Sequence, residues 1–395
     1  KSDMFETPNL DTIAADGATF ADFYAPSPRC MPSRASYFTG KSPPALHMTF
    51  IPEGNKDGPP KGNVVPPFTE TNLPTSNATV ASVLKAVGYA TAHYGKWHAG
   101  QTDPSAYGFD ESDGPTTNRG PSGEDNPNPA QAFATADRGM GFMAKHTAAG
   151  KPFYLQISHY GGGDPIDSTP ESYEAESKRL AGKNPNDIAD AAVIRDMDKT
   201  VGMILQKVQE LGIADRTYVI FSADHGRAGA SANLPLNQGK GSVWEGGIRV
   251  PLFIRGPGIN KGTHSHVRAS QVDLLPTLVE LAHVPGPLPP GLEGGSLWPL
   301  LSSSETKPVQ RSRDELVVHF PHYDKDPLGP ASAILLGNYK LIRFYEDGSQ
   351  RLFDLDQDLQ EKNDLAAKMP EKVAELAKRM DDYLKAVGAQ IPGHL

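Results

Sequence analysis

The chain has one cysteine, Cys30, and the residues around it place a reactive group beside a cation. It stands in the segment SPRCMPSRASYFTG, which runs from Ser27 to Gly40. The small residues after Pro32 open a helix, so the thiol is predicted at the turn before a helix N-terminus. Backbone N–H groups collect at such a position and favour an anion. Arg34 follows one helical turn later and is expected on the same face as Cys30.

The motif from Cys30 to Arg34 resembles the CxPSR signature of the type I sulfatases, which belong to the alkaline phosphatase superfamily. Further segments resemble motifs of that family in the family's order: TPNLD at 7–11, YGKWH at 94–98, SADHG at 222–226, GKGS at 239–242, EGGIRVP at 245–251 and YKL at 339–341. The resemblance covers essentially the whole chain. It implies hydrolysis of sulfate monoesters by a Cα-formylglycine made from Cys30, which requires a formylglycine-generating or anaerobic sulfatase-maturating enzyme as a partner.

The motifs contain cationic side chains of the kind that a sulfate ester requires. Its charge lies on the non-bridging oxygens, and the alcohol gains charge as the S–O bond breaks, so cations must cluster around one point. Within the motifs these are Arg34, Lys96, His98 and Lys240. The resemblance implies that Lys96 and Arg34 hold the sulfate, that Lys240 or a histidine protonates the alcohol, and that His98 then deprotonates the second hydroxyl.

The resemblance also implies a metal ion, with Ca²⁺ favoured over Mg²⁺. Its expected ligands in this sequence are residue 30, Asp224 and His225. The end of a buried strand, where Asp224 stands, is where α/β sheets place functional side chains. The family's remaining ligands are two adjacent aspartates on a strand that precedes the TPNLD segment. No such pair precedes that segment in this sequence, and Asp3 does not replace it; we expect a longer protein to contain it.

The organic part of the substrate is predicted less directly. Related sulfatases carry a second histidine before a proline turn, and it contacts the sulfate or protonates the leaving group. Gly163 stands at that position here, and His159 is the alternative candidate for this catalytic role. The polar loop at Asn118 and Arg119 and the histidines His319 and His322 are candidates for binding the organic part. The resemblance is strongest to bacterial enzymes that act on sulfated polysaccharides, so a sulfated glycan is the expected substrate.

Two other functions are compatible with the sequence. A hydrolase of phosphate or phosphonate monoesters would use the same metal site. A catalytically silent protein that binds sulfated glycans would be consistent with the missing aspartate pair and with Gly163.

The elements that must position these residues indicate an α/β protein. Continuous apolar runs at 152–158, 218–223 and 250–255 predict strands buried on both faces, as in a large mixed, mostly parallel sheet between helices. Apolar residues at three-to-four spacing from Ile194 to Leu211 predict a helix between the first two strands. Short strands and an amphipathic helix after residue 305 predict a smaller α+β unit with an antiparallel sheet, which divides the chain into 1–304 and 305–395.

Composition excludes several classes of protein. The formal charge of −9 argues against nucleic acid as a partner. The longest apolar runs, such as 217–223, are far shorter than the roughly 20 residues of a membrane span. No signal peptide is visible in the sequence, but the resemblance implies a periplasmic or secreted protein.

Overall fold

The computed structural model describes residues 4–52, 62–118, 131–161, 167–228, 233–303 and 306–395. The helices are α1 Pro8–Asp16, α2 Cys30–Thr39, α3 Pro43–Leu46, α4 Val80–Ala86, α5 Ala132–Ala148, α6 Pro170–Arg179, α7 Pro185–Glu210, α8 Glu245–Ile248, α9 Leu274–Leu281, α10 Trp298–Ser302 and α11 Pro370–Ala386. The strands are β1 Ala18–Phe20, β2 Phe23–Tyr24, β3 Val64–Val65, β4 Ala90–Gly95, β5 Glu111–Ser112, β6 Phe153–Ser158, β7 Val219–Ser222, β8 Leu252–Arg255, β9 Thr263–Ser265, β10 Ala269–Ser270, β11 Leu316–Phe320, β12 Ala331–Leu336, β13 Tyr339–Phe344, β14 Gln350–Asp354 and β15 Gly393–His394.

Two sheets carry the first part of the chain. One has the order β7-β8-β1-β9, and the other, which is entirely parallel, has the order β5-β4-β6. The long helix α7 covers both sheets. Val201 and Leu205 of α7 pack against β7. Ile204 and Val208, on a neighbouring face of the helix, pack against β6. The predicted α/β class, with helices against largely buried strands, is confirmed.

The direction of one strand was predicted wrongly. The run at 250–255 was expected to join a parallel sheet, but β8 pairs antiparallel with both β7 and β1. Among the described residues, β6 and β7 belong to different sheets, although the strand-helix-strand order is as predicted. A continuous apolar run indicates that a strand is buried on both faces, but it carries no information on the direction of its neighbour.

The C-terminal part contains the predicted antiparallel sheet, in the order β11-β12-β13-β14. Helix α11 packs on one face of it through Leu376, Met380 and Leu384. On the other face, Val318 and Ile342 belong to the same apolar cluster as Phe38, Trp97 and Trp244 of the first part. The two parts therefore share a core. The proposed boundary at 304 and 305 lies outside the described residues, and the division into two domains stays a prediction.

No helix in the described ranges is long and apolar enough to cross a membrane.

Candidate functional site

Cys30 is the first residue of helix α2, and its N-cap, Arg29, has an extended backbone. Its side chain is buried. The Sγ atom lies 2.9 Å from Nε2 of His225 and 3.6 Å from Nζ of Lys240. His98 also forms a hydrogen bond with this thiol. Three polar side chains from three separate segments therefore converge on the predicted nucleophile at a helix N-terminus.

Lys96 and His98 lie in the turn after β4. Gly95 has φ of 91°, and a Cβ there would lie 2.0 Å from the carbonyl oxygen of Ser158, so the turn requires glycine. Trp97 is fully buried and packs against Phe38 of α2 with ring centroids 4.7 Å apart. The indole thus anchors the middle of the turn to helix α2, while Lys96 and His98 lie on either side of it.

Arg34 connects helix α2 to this turn. Its Nε atom donates a hydrogen bond of 2.6 Å to the carbonyl oxygen of Trp97, and Nη2 donates to the carbonyl oxygen of Lys96. Nη1 lies 3.8 Å from a carboxylate oxygen of Asp224. The guanidinium was predicted to hold sulfate oxygens. In the structure it mainly fixes the backbone of the turn that carries Lys96 and faces Asp224.

Asp224 and His225 follow β7. Gly226, the next residue, donates a backbone hydrogen bond of 2.9 Å to the carbonyl oxygen of Gly247 in α8. A Cβ at Gly226 would lie 1.8 Å from the carbonyl oxygen of Gly246, so the turn and the helix touch backbone to backbone. Nδ1 of His225 lies 2.7 Å from the carbonyl oxygen of Gly226, which turns Nε2 towards Cys30.

Lys240 comes from the loop before α8. Its backbone N–H donates 2.9 Å to the carbonyl oxygen of Arg227, and Gly241 N–H donates 3.0 Å to that of Pro28. The loop is thus tied to the segments just after His225 and just before Cys30. These bonds hold the Lys240 backbone close to the thiol, which its ammonium group approaches.

The charges in the cluster stabilise one another. Burial raises the pKa of the Asp224 carboxyl, but the neighbouring charges of His225, Lys96 and Arg34 outweigh burial and hold that pKa far below its usual value. Burial lowers the pKa of the His225 imidazole, yet Asp224 and Cys30 raise it overall. Burial raises the pKa of the Cys30 thiol, but His225 and the hydrogen bonds it receives lower it well below its usual range. The site therefore favours an anion at residue 30.

A metal ion could be held on one side of this cluster. The ligating atoms of Cys30, Asp224 and His225 lie within 4.8 Å of one another, and this is the one such group of His, Cys, Asp or Glu among the described residues. The carboxylate suits Ca²⁺, which takes about six to eight oxygen ligands. The described residues thus fit one side of a metal site, and its other ligands must come from water, substrate or residues outside the described ranges.

Comparison with known proteins assigns the family. The model of the family described as "Sulfatase" matches residues 1–284. The chain belongs to the sulfatase family. A second model, "N-sulphoglucosamine sulphohydrolase, C-terminal", matches residues 239–390 of this sulfatase. The protein is therefore a sulfuric ester hydrolase by family, as the motifs predicted, and the family in general uses a metal ion and a formylglycine.

Individual sulfatases resemble the chain over most of its length. Arylsulfatase A of Homo sapiens is 31% identical over 393 residues, which cover 87% of this chain and 71% of that protein. An ulvan-active sulfatase of Formosa agariphila is 29% identical, with coverage of 96% and 79%. The crystal structure of Ps i-CgsB in complex with k-i-k-neocarrahexaose superposes with a TM-score of 0.79 at 23% identity, covering 96% of this chain and 87% of that one. This structural similarity supports the sulfatase fold.

The predicted substrate residues Asn118 and Arg119, and the segment of the catalytic candidate His159, are only partly described. Asn118 accepts a hydrogen bond of 2.8 Å from Lys96 Nζ, which places its amide beside the sulfatase cluster. Arg119 and Gly163 lie outside the described residues. His159 follows β6, and its Nε2 lies 3.1 Å from the hydroxyl of Thr200 on α7. Burial lowers the pKa of the His159 imidazole to about 4, so this side chain is a neutral group packed against α7.

Among the described residues, neither His319 nor His322 contacts Cys30, Lys96, Lys240 or Asp224, and their role in binding substrate stays a prediction. His319 is fully buried on β11, with Nδ1 2.6 Å from the Ser332 hydroxyl and Nε2 3.0 Å from the carbonyl oxygen of Gln390. His322 is buried, stacks on Phe50 and contacts the Thr49 hydroxyl at 2.8 Å. Both ring nitrogens of His319, and Nε2 of His322, already have partners inside the protein, and these contacts stabilise packing.

Sequence reasoning missed a buried charge network behind α8. Glu245 lies in the EGG motif and Lys340 in the YKL motif, and both were noted only as resemblances. Their side chains form an ion pair of 2.9 Å with no solvent exposure on either partner. The available signal was chemical: Lys340 shares one face of the strand with the apolar Ile342 and Phe344, and a lysine on such a face requires a buried anionic partner.

Proposed function

We propose that this sulfatase hydrolyses sulfate esters of carbohydrates, with Cys30 converted to Cα-formylglycine and Ca²⁺ as its metal. One observation carries the proposal: the residue-30 side chain starts a helix and contacts His225 and Lys240, with His98 also bonded to it. The sulfur of Cys30 marks the place that the oxygens of the hydrated aldehyde would take. A nucleophile so placed faces cations that can receive a sulfate.

In the first step, Lys96 binds the non-bridging oxygens of the sulfate while Asn118 orients its ammonium group. Arg34 keeps the backbone of Lys96 in place and adds positive charge. One hydroxyl of the hydrate loses its proton to water, the resulting oxygen anion attacks sulfur, and the bond from sulfur to the sugar oxygen breaks. Lys240 gives a proton to the departing alcohol.

In the second step, His98 takes the proton of the remaining hydroxyl. The carbon of residue 30 re-forms its C=O bond, the bond from that carbon to the sulfate oxygen breaks, and sulfate leaves. The aldehyde is thereby restored, and a water molecule hydrates it for the next cycle. Each role follows from a basic or acidic side chain that lies at the nucleophile.

For Ca²⁺ we propose residue 30, Asp224 and His225 as the ligands among the described residues. When bound, such an ion neutralises negative charge on the ester and favours the ionised nucleophile. The conversion of Cys30 requires a maturating enzyme, either the formylglycine-generating or the anaerobic type. We also propose a periplasmic or extracellular location, because polymeric sulfated glycans lie outside the cytoplasm.

The carbohydrate substrate is supported by the relatives. The matching proteins include one described as ulvan-active and others described as N-acetylgalactosamine-6-sulfatases, and a similar fold was solved with a neocarrahexaose. The polar Asn118, which lies next to Lys96, can hydrogen-bond a sugar hydroxyl at the edge of the cluster.

The test is sulfate release from a panel of defined sulfated saccharides, with mass spectrometry of the peptide that contains residue 30. We expect an aldehyde in place of the thiol and release from at least one saccharide, both lost in Cys30→Ala. Full activity in that variant would contradict the proposed nucleophile. Faster turnover of 4-nitrophenyl phosphate than of 4-nitrophenyl sulfate would favour a phosphomonoester hydrolase, and glycan binding without sulfate release would favour a silent binding protein.

A further inference from the structure

We propose that Lys340 and Glu361, from the C-terminal part of the chain, are positioning residues that hold Lys240 and His225 at the nucleophile by fixing helix α8. The inference rests on the proposed function, because it assigns Lys240 its role as the proton donor to the leaving alcohol. Neither residue touches the substrate in this scheme. They act through the buried carboxylate of Glu245.

The contacts among Lys340, Glu361 and Glu245 are short and shielded from solvent. Nζ of Lys340, on β13, lies 2.9 Å from Oε1 of Glu245 and 2.8 Å from Oε1 of Glu361, and all three side chains are fully buried. Oε2 of Glu361 accepts a hydrogen bond of 2.8 Å from the backbone N–H of Glu245. The first residue of α8 is therefore held by its side chain and by its backbone at once.

Helix α8 in turn supports two parts of the active site. The carbonyl oxygen of Gly247 accepts from Gly226 N–H at 2.9 Å, directly after His225. The N–H of Gly246 donates 2.8 Å to the carbonyl oxygen of Asn237, three residues before Lys240. A displacement of α8 would thus move the His225 turn and the Lys240 loop together.

The network also reaches the first part of the chain. Glu245 Oε2 accepts a hydrogen bond of 2.9 Å from Tyr24 and lies 3.3 Å from Arg249 Nη1, while Arg249 also forms an ion pair with Asp22. Lys340 therefore bridges the antiparallel C-terminal sheet and the helix behind the site. Among the described residues of the C-terminal part, Lys340 is the one that forms an ion pair with α8.

Packing alone does not explain these charges. A buried ion pair often contributes no more stability than apolar residues of the same volume, because both charges lose their water. It does impose one relative position on the groups that share it. Glu361 moreover has φ of 54°, a left-handed conformation that is uncommon for residues other than glycine and that clusters at functional sites. Position is the property that a proton donor such as Lys240 requires.

The test compares two esters that differ in their need for a proton. The 4-nitrophenolate ion leaves sulfate readily without help, whereas phenolate is more basic and gains from protonation. The variants are Lys340→Met, Glu361→Gln and the double variant, and the control is Arg343→Met. Arg343 is also on β13, but its ion pair with Asp381 is at the surface.

In Lys340→Met, Glu245 and Glu361 lose the cation that they share, and Glu245 keeps only its ion pair with Arg249. We expect kcat/KM to fall about tenfold more for phenyl sulfate than for 4-nitrophenyl sulfate. Glu361→Gln keeps an acceptor for the backbone N–H of Glu245, so its kcat/KM for phenyl sulfate should fall less. The double variant, in which a neutral amide replaces the Glu361 carboxyl beside Glu245, should recover part of the loss of kcat/KM.

If these residues had a structural role alone, kcat/KM for both esters would fall in proportion to the folded fraction. Melting curves and the content of modified residue 30 measure that fraction independently. Equal losses for the two esters, or no loss in Lys340→Met, would overturn the inference while leaving the proposed function intact. A wild-type protein that releases sulfate from neither ester would contradict the proposed function itself.

Discussion

Arg34 donates a hydrogen bond of 2.6 Å to the carbonyl oxygen of Trp97, and it thereby joins the helix of the nucleophile to the turn of Lys96 and His98. The same guanidinium donates to the carbonyl oxygen of Lys96 and lies 3.8 Å from Asp224. A single buried side chain thus sets the distance between groups from three different segments. Only the planar fork of an arginine can make these contacts together.

We therefore expect Arg34→Lys to lower kcat/KM for sulfate esters by about 10 to 100-fold, since each lost hydrogen bond to a charged donor is worth about 1.5 to 3 kcal/mol. The charge is retained, so the loss would report geometry. Steady-state kinetics with 4-nitrophenyl sulfate measure it. Arg343→Lys, at the surface of the C-terminal sheet, is the matched control, and equal activity of the two variants would contradict this role.

The two C-terminal histidines yield a second prediction. His322→Phe keeps the stack on Phe50 but removes the contact with the Thr49 hydroxyl, which is left buried without this partner. We expect the free energy of unfolding to fall by about 1 to 3 kcal/mol, with KM for saccharide substrates unchanged within about twofold. Thermal denaturation and kinetics of the same preparation check this, and a large rise in KM at unchanged stability would restore His322 to the substrate site.

These histidines also show where sequence reasoning ends. The position of Cys30 at a helix start, and the placement of Arg34 one turn later, depend on local rules and were predicted from the sequence. His319 and His322 were expected near the cleft because of their order in the chain. The burial of His319 depends on the packing of β11 against β12 and on residue 390, and that of His322 depends on Phe50 and Thr49. No local sequence pattern encodes these contacts.

The strands of the fold show the same difference between local patterns and tertiary contacts. The apolar runs identified β6, β7 and β8 within one or two residues, because a strand in a covered sheet is rich in apolar residues. The prediction that β6 and β7 are buried on both faces was too strong, since most of their residues are only partly buried. The antiparallel direction of β8 is a property of the chain path between the strands. Glu245 and Lys340 were both in noted motifs, but their pairing across the two parts of the chain is a tertiary contact.

The buried Glu361 predicts a pH dependence of stability. Burial, with Glu245 nearby, raises the pKa of its carboxyl to about 7 although Lys340 opposes the shift. Because this pKa lies above that of the unfolded chain, the unfolded state ionises first as the pH rises. The contribution of Glu361 is therefore fully present below about pH 4.5 and is lost progressively up to about pH 7.

Glu361→Gln removes this loss. As the pH rises from 5.5 to 8, we therefore expect the free energy of unfolding of the variant to increase by about 1 to 3 kcal/mol relative to that of the wild type. Urea denaturation at both pH values measures the difference. Asp381→Asn, at an exposed ion pair of the same part of the chain, should show no such trend. A constant difference between wild type and Glu361→Gln across this range would contradict the raised pKa.

Calcium binding can be tested without reference to turnover. A ligand that binds only the folded state raises the melting temperature, by an amount that grows with its concentration. Asp224 is the one carboxylate in the described metal cluster, and Arg34, Lys96 and Lys240 surround it with positive charge. Without this carboxylate a divalent cation would meet mainly repulsion.

We therefore expect added CaCl₂ to raise the melting temperature of chelator-treated wild-type protein by several degrees, as about 100-fold excess over Kd contributes about 2.7 kcal/mol. The shift should disappear in Asp224→Ala and persist in Asp16→Ala, which alters an exposed carboxylate. An equal shift in both variants would mean that calcium binds elsewhere. A larger shift with MgCl₂ would assign the site to the smaller ion, whose octahedral shell keeps several waters.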